Sequence, residues 1–168
     1  MNPQPFAQAP LRYTARMKTR VELSSLSARV GEEIAVSDWV EITQARINLF
    51  AEATGDHQWI HVDAERAAKE SPFGATVAHG FLTLSLVPMF KESCIEYSGV
   101  KMGVNYGTNR VRFMLPVKVN SRLRGRFKLA AIEEIKGGAQ MTWECTIEME
   151  GHGKPACVAE SVLRYIGG

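Results

Sequence analysis

An acid and an imidazole stand a short step apart in this chain. They are Asp56 and His61, in the stretch Phe50-Ala51-Glu52-Ala53-Thr54-Gly55-Asp56-His57-Gln58-Trp59-Ile60-His61-Val62-Asp63. Further on, Ala78-His79-Gly80 opens an almost wholly apolar run that continues through Phe81, Leu82, Leu84, Leu86, Val87, Met89 and Phe90. Asp56 and His61 are two proton-transfer groups on a short irregular segment. A helix starting near Gly80 offers free backbone N–H groups and the positive end of its dipole to a developing oxyanion. Acid, base and oxyanion site together suit proton transfer beside a carbonyl. Gly80 is the expected donor, because a residue without a side chain lets the carbonyl approach.

Each of these residues also has a plainer reading. Asp56 alone, after Gly55, reads as a solvated turn residue, and His61 alone as a structural histidine bonded to backbone. His79 either points into the site or braces its turn. His57 is expected at the surface and His152, between glycines, at a hairpin tip. No His, Cys, Asp or Glu cluster has metal-ligand spacing, so no metal is expected. Cys145 alternates with the apolar side of its strand and has no evident base, which argues against a thiol nucleophile.

The elements that must position these groups follow from caps and periodicity. Thr43 is a good N-cap for a helix running to Thr54, with Ile47, Phe50, Ala51 and Thr54 on one face and Gly55 just past its end. Asp63 caps a second helix, Ala64 to Glu70, in which Glu65 and Lys69 are spaced as an ion pair. A third helix is expected over His79 to Glu96, buried because it is apolar on nearly every side, and kinked by Pro88. A short helical turn near Leu23 to Val30 and a strand over Ile34 to Ile42 precede these. Strands are expected over 101–106, 109–113, 121–135, 140–150 and 156–166, as a long antiparallel meander. The fold class is α+β, a curved antiparallel sheet wrapped around a buried helix. Residues 1–20, rich in proline, read as a flexible arm, and 21–168 as a single domain.

Two polar groupings sit on those strands. Asn105, Tyr106 and Asn109 lie near strand ends, where they either bind a substrate amide or satisfy a turn. Arg122, Arg124, Arg126 and Lys128 alternate with Leu123, Phe127 and Leu129. That stripe is either a phosphate-binding face or a solvated strand face.

Composition narrows the classes of function. Of 168 residues 45% are hydrophobic, enough for one full core. Twenty basic against eighteen acidic residues leave a net charge of +2, and no basic run marks a nucleic-acid binder. Three widely spaced cysteines, Cys94, Cys145 and Cys157, point to a reducing cytoplasm. The N-terminus has no apolar core of a secretion signal, and the apolar run is far short of the roughly 20 residues of a membrane span. A cytoplasmic, soluble protein is expected.

These segments resemble the MaoC-like hydratase/dehydratase family, within the hot-dog fold. Three motifs carry the resemblance in order: Phe50 to Asp63; Phe73-Gly74 followed by Val77-Ala78-His79-Gly80-Phe81-Leu82; and Arg112-Phe113-Met114-Leu115-Pro116-Val117. Together they span roughly residues 34 to 166. The segment Asn105 to Phe113 also resembles a nodulation-protein-N-like branch. One departure is that Gln58-Trp59 stands where the family has Asn-Pro, and a tryptophan there narrows the acyl pocket.

The resemblance implies an (R)-specific enoyl-CoA hydratase, a hydro-lyase that reversibly adds water to trans-2-enoyl thioesters. It implies Asp56 and His61 as the catalytic pair and the Gly80 N–H as the oxyanion donor. It leaves His79, Trp59, Asn105, Tyr106 and Asn109 as substrate-binding candidates. No cofactor beyond the coenzyme A of the substrate is implied, and an acyl-carrier-protein thioester is an equal candidate substrate. A homodimer or higher homo-oligomer is implied, because a single curved sheet leaves edges that need cover. The alternatives are a non-catalytic acyl-thioester sensor and an acyl-CoA thioesterase. The third helix carries no acid before Glu92, which argues against hydrolysis.

Overall fold

The computed structural model describes residues 17–167. Strand β1, Thr19–Glu22, leads into a 3-10 helix, Leu23–Arg29. Two short strands follow, β2 (Glu33–Val36) and β3 (Val40–Glu41). Five helices come next: α1 (Gln44–Thr54), α2 (Trp59–Val62), α3 (Ala64–Glu70), α4 (Gly80–Ser85) and α5 (Val87–Cys94). The chain ends in β4 (Ile95–Ser98), β5 (Val100–Phe113), β6 (Arg122–Ile135), β7 (Gly138–Met149) and β8 (Cys157–Gly167). Residues 1–16 of the expected arm lie outside the described residues, and by Thr19 the chain is a strand paired in parallel with β4.

The main sheet is antiparallel and runs β2-β6-β7-β8-β5, with β3 also on β6. Strands β6, β7 and β8 form the expected meander. β5 does not: it lies beyond β8 at the far edge rather than beside β6. Strict alternation sets the faces of β6 and β7. Leu123, Phe127 and Leu129, with Met141, Trp143, Cys145 and Ile147, are all buried on one side. Leu82, Val87, Phe90 and Cys94 of α4 and α5, with Leu86 between the two helices, pack with them in a single core. The architecture is the expected α+β arrangement of a curved antiparallel sheet and helices.

The third helix differs from the expectation in three ways. It is broken at Leu86, the C-cap of one helix and the N-cap of the next, because Pro88 in the first turn of α5 cannot donate back to the turn before it. It also ends at Cys94, where the chain becomes strand β4. It is not buried all round either, since Phe81 is 69% exposed. The strand expected over Ile34 to Ile42 is likewise interrupted, at Ser37 to Trp39, where Ser37 exchanges bonds with the Gly125 backbone. Gly107 does not divide β5, which is one strand of 14 residues.

Candidate active site

Helix α1 carries the chain to the site and stops it there. Thr43 Oγ1 accepts from the Arg46 N–H at 3.3 Å at its start. Gly55, at φ +76°, closes its end by donating to the Ala51 carbonyl. Only glycine takes this left-handed turn without cost, and it releases Asp56 just beyond the helix end. The carboxylate is half-exposed, and its Oδ1 is 3.4 Å from the Gln58 N–H. His61 sits not on an irregular loop but in the single turn of α2, and is 8% exposed. Asp63 caps α3 through the Arg66 N–H, and the ion pair on that helix is Arg66–Glu70 at 2.8 Å rather than Glu65–Lys69.

One oxygen of Asp56 and one ring nitrogen each of His61 and His79 all lie within 4.8 Å of one another. The sequence-predicted pair is therefore brought together, with a second histidine beside it. His61 Nδ1 faces the Val77 carbonyl at 2.6 Å, so this nitrogen carries a proton and donates. That leaves Nε2 as the nitrogen with a lone pair when the ring is neutral. Burial lowers the pKa of His61 below its ordinary 6.5, outweighing the bond to Val77; nearby His79 lowers it further and Asp56 raises it. The ring is thus held in its basic form to a lower pH than a free histidine.

His79 is 3% exposed. Its ring stacks on His61 with centroids 3.8 Å apart and planes at 26°, and Phe50 of α1 tilts against it at 5.0 Å. His79 Nε2 donates to the Asp56 carbonyl oxygen at 2.9 Å and lies 3.9 Å from Asp56 Oδ2. Because the two imidazoles are nearly parallel, their in-plane lone pairs run side by side rather than converging on one point. This suits shared proton handling more than coordination of an ion.

Residues not singled out in the sequence hold this group in place. Gln44, the first residue of α1, donates through Nε2 to the His61 carbonyl at 2.7 Å and accepts from Thr76 Oγ1 at 2.5 Å. The Val77 N–H bonds the Ile60 carbonyl, and the Ala78 N–H bonds the Val117 carbonyl. The third sequence motif therefore acts as a strap: Phe113 to Val117 runs along the segment that carries His79 and Gly80. Polar residues such as Gln44 and Thr76 have no local pattern that marks them, since their partners are distant in sequence.

Gly80 starts α4, and among the described backbone hydrogen bonds no carbonyl accepts from its N–H. A Cβ here would come within 2.9 Å of the Phe113 ring, so the close approach requires glycine. A cavity of about 270 Å³ adjoins it, lined by Thr83, Phe113, Leu115, Pro116 and Ala156 among others. A second cavity, of about 310 Å³, lies between Pro88 and β5 and is lined by Asn105, Tyr106, Thr108 and Ser161. Asn109 instead donates to Glu160 at 3.4 Å on the exposed surface. Trp59 borders neither cavity: its ring carries the Arg66 guanidinium at 4.4 Å.

The basic stripe on β6 is spent within the sheet. Arg122 pairs with Glu150, Arg124 with Glu148, Arg126 with Glu33 and Glu148, and Lys128 with Glu144. It is a salt-bridged solvated face rather than a free phosphate site. Burial pushes the Cys145 thiol up to about 12, which removes it as a nucleophile at neutral pH.

Comparison with known proteins places this geometry. Residues 25–149 match the family described as MaoC like domain. The chain is 52% identical over 151 residues to 3-hydroxyacyl-thioester dehydratase Z of Mycobacterium tuberculosis, covering 89% of this chain and 99% of that protein. It is 48% identical over 147 residues to nodulation protein N of Rhizobium leguminosarum bv. viciae, covering 83% of this chain and 88% of that one. Among solved structures it resembles the (R)-hydratase from A. caviae involved in PHA biosynthesis, with a TM-score of 0.63, 25% identity, and coverage of 80% and 94%. The sheet and helices are those of the hot-dog fold.

Proposed function

The chain belongs to the family of MaoC-like domains, and from that premise we propose that it is a hydro-lyase interconverting trans-2-enoyl and (R)-3-hydroxyacyl thioesters. The observation that carries this reading is the close approach of Asp56 and His61, with His79 beside them leading directly into the Gly80 N–H. His61 Nε2 takes a proton from a water held between the pair, and the water oxygen bonds to C3 of the enoyl group. The electron pair of the double bond moves toward the thioester oxygen, where the Gly80 N–H and the start of α4 stabilise it. The proton passes from His61 to Asp56, whose groups lie within 4.8 Å of each other, and Asp56 delivers it to C2, so both end the cycle as they began. Atoms balance as the addition of one water, and the reverse sequence is the dehydration. No metal or cofactor takes part in these steps.

The thioester is carried by coenzyme A or by an acyl carrier protein. Asn105 and Tyr106, on the wall of the cavity beside Pro88, are the residues best placed for a pantetheine amide. The retained acid–base pair favours turnover over a sensor that only binds acyl thioesters. Thioester hydrolysis is disfavoured because α4 carries no carboxylate.

The active assembly on this reading is a homodimer. β5 is the terminal strand of the sheet and exposes Met102, Val104 and Tyr106 at 54%, 42% and 58%. Phe81, beside the candidate oxyanion donor, is exposed as well. An apolar open edge of this length invites pairing with another strand, and a second copy of the chain supplies one.

The test is chiral analysis of the product formed from crotonyl-CoA. An (R)-3-hydroxybutyryl product supports the reading, and an (S) product or free coenzyme A contradicts it.

A further inference from the structure

His79 is more constrained than the first residue of a helix needs to be. It occupies the N-cap position of α4, yet its side chain makes no capping hydrogen bond. Its contacts go to the two catalytic candidates instead. Through Nε2 it donates to the Asp56 main-chain carbonyl at 2.9 Å, and its ring face lies on His61 at 3.8 Å. Phe50, anchored in α1, tilts against it, so the stack is tied to a rigid element. Nearly full burial leaves the ring one setting, and its Nδ1 has no partner among the described residues.

We propose that His79 is the positioning residue of the Asp56–His61 pair, an assignment that rests on the hydro-lyase reading above. Two separate actions make up this role. The bond to the Asp56 carbonyl holds the acid at the end of α1, where the chain would otherwise be free to move after Gly55. The stacked ring covers one face of His61, excludes water from it, and keeps its Nε2 aimed at the space beside the carboxylate. Asp56 and His79 are the charged or titratable groups acting on His61, and its remaining named neighbours, Gln44 and Val77, are neutral. Its shifted titration is the expected companion of this cover. A displacement of about 1 Å in such a pair costs roughly a hundredfold in rate. This role differs from substrate binding, in which His79 would govern KM.

Three variants separate the actions. His79→Phe keeps a ring for stacking and loses the donor. His79→Gln keeps a donor and loses the ring. His79→Ala loses both. The expected result is a fall in kcat of roughly tenfold or more in each, largest in His79→Ala, with KM little changed. The acidic limb of the kcat/KM profile should move to higher pH in His79→Gln and His79→Ala, where water reaches His61, and less in His79→Phe. An NMR titration of the His61 ring reads the same shift without substrate, so the outcome does not depend on turnover. Wild-type kcat in the three variants overturns the proposal, as does an unmoved His61 titration in His79→Gln. If His79→Ala does not fold, the other two variants decide the matter. Inactive Asp56→Asn alongside fully active His79 variants defeats the positioning role alone, whereas fully active Asp56→Asn defeats the catalytic pair itself.

Discussion

His61 owes its chemistry to what surrounds the ring. The Val77 carbonyl fixes the proton on Nδ1, and burial holds the ring below its ordinary pKa of 6.5. The sign of the pH dependence follows. The base is competent once deprotonated, so the rising limb of kcat/KM should lie below pH 6.5, where a solvated histidine would put it. A pH–rate profile with the limb above that value would contradict the assignment. His61→Ala should lower turnover by at least about a hundredfold while leaving thermal unfolding nearly unchanged, since the ring's contacts are to the Val77 carbonyl and the His79 ring rather than to the main apolar core. Asp56, His61 and Gly80 stood out in the sequence as candidates because they sit in short ordered motifs, and the structure brings Asp56 and His61 together. Gln44, Thr76 and the stacked geometry of His79 were not. Their effect comes from contacts between segments remote in sequence, and nothing local distinguishes a glutamine that bonds the His61 carbonyl from one that faces water.

Elements were legible where their ends are marked. Thr43 and Gly55 bound α1 at the expected residues, and Asp63 starts α3 as expected. Alternation likewise gave the buried faces of β6 and β7. Neighbour relations were less accessible. Alternation says which face of a strand is buried but not which strand lies beside it, so β5 was expected in the meander and lies instead beyond β8. The same limit hid the ion-pair ladder, because Arg124 and Glu148 become partners only when β6 and β7 are in register. The open edge of β5 supports a specific prediction. Met102→Lys with Val104→Lys places two charges on this edge without touching Asp56, His61 or Gly80. Gel filtration should shift from dimer to monomer, and activity should fall if the partner completes the substrate cleft. An unchanged elution volume would move the interface elsewhere.

The molecule as a whole carries a buried cation under its sheet. Lys91 of α5 is 4% exposed, donates to the Tyr165 hydroxyl at 2.8 Å, and lies over the rings of Trp143 and Tyr165. Burial lowers its pKa to about 8, from an unfolded value of about 10.4. Below pH 8 the folded state bears the full cost of the buried charge. Between about 8 and 10.4 the unfolded chain binds more protons, so this residue's contribution improves as pH rises. The buried thiols act the opposite way. Burial pushes Cys94 and Cys157 up to about 11 and Cys145 to about 12, so stability from them is lost as pH climbs above the ordinary thiol value. Lys91→Met isolates the lysine. Urea unfolding of variant and wild type should show their stability gap shifting toward wild type by up to about 3 kcal/mol between about pH 7 and about pH 10. A gap constant across that range would mean that Lys91 is hydrated rather than buried. No helix of the described residues is long and apolar enough to cross a membrane, and the core is built around the α4–α5 break and the sheet.

The most direct measurement follows the ultraviolet absorbance of the conjugated thioester when crotonyl-CoA is mixed with purified protein, with Asp56→Asn run in parallel. The account predicts rapid loss of absorbance with wild type and a rate lower by at least about a hundredfold with the variant. Equal rates for the two proteins, or no loss with wild type on either crotonyl-CoA or a longer enoyl thioester, would contradict it.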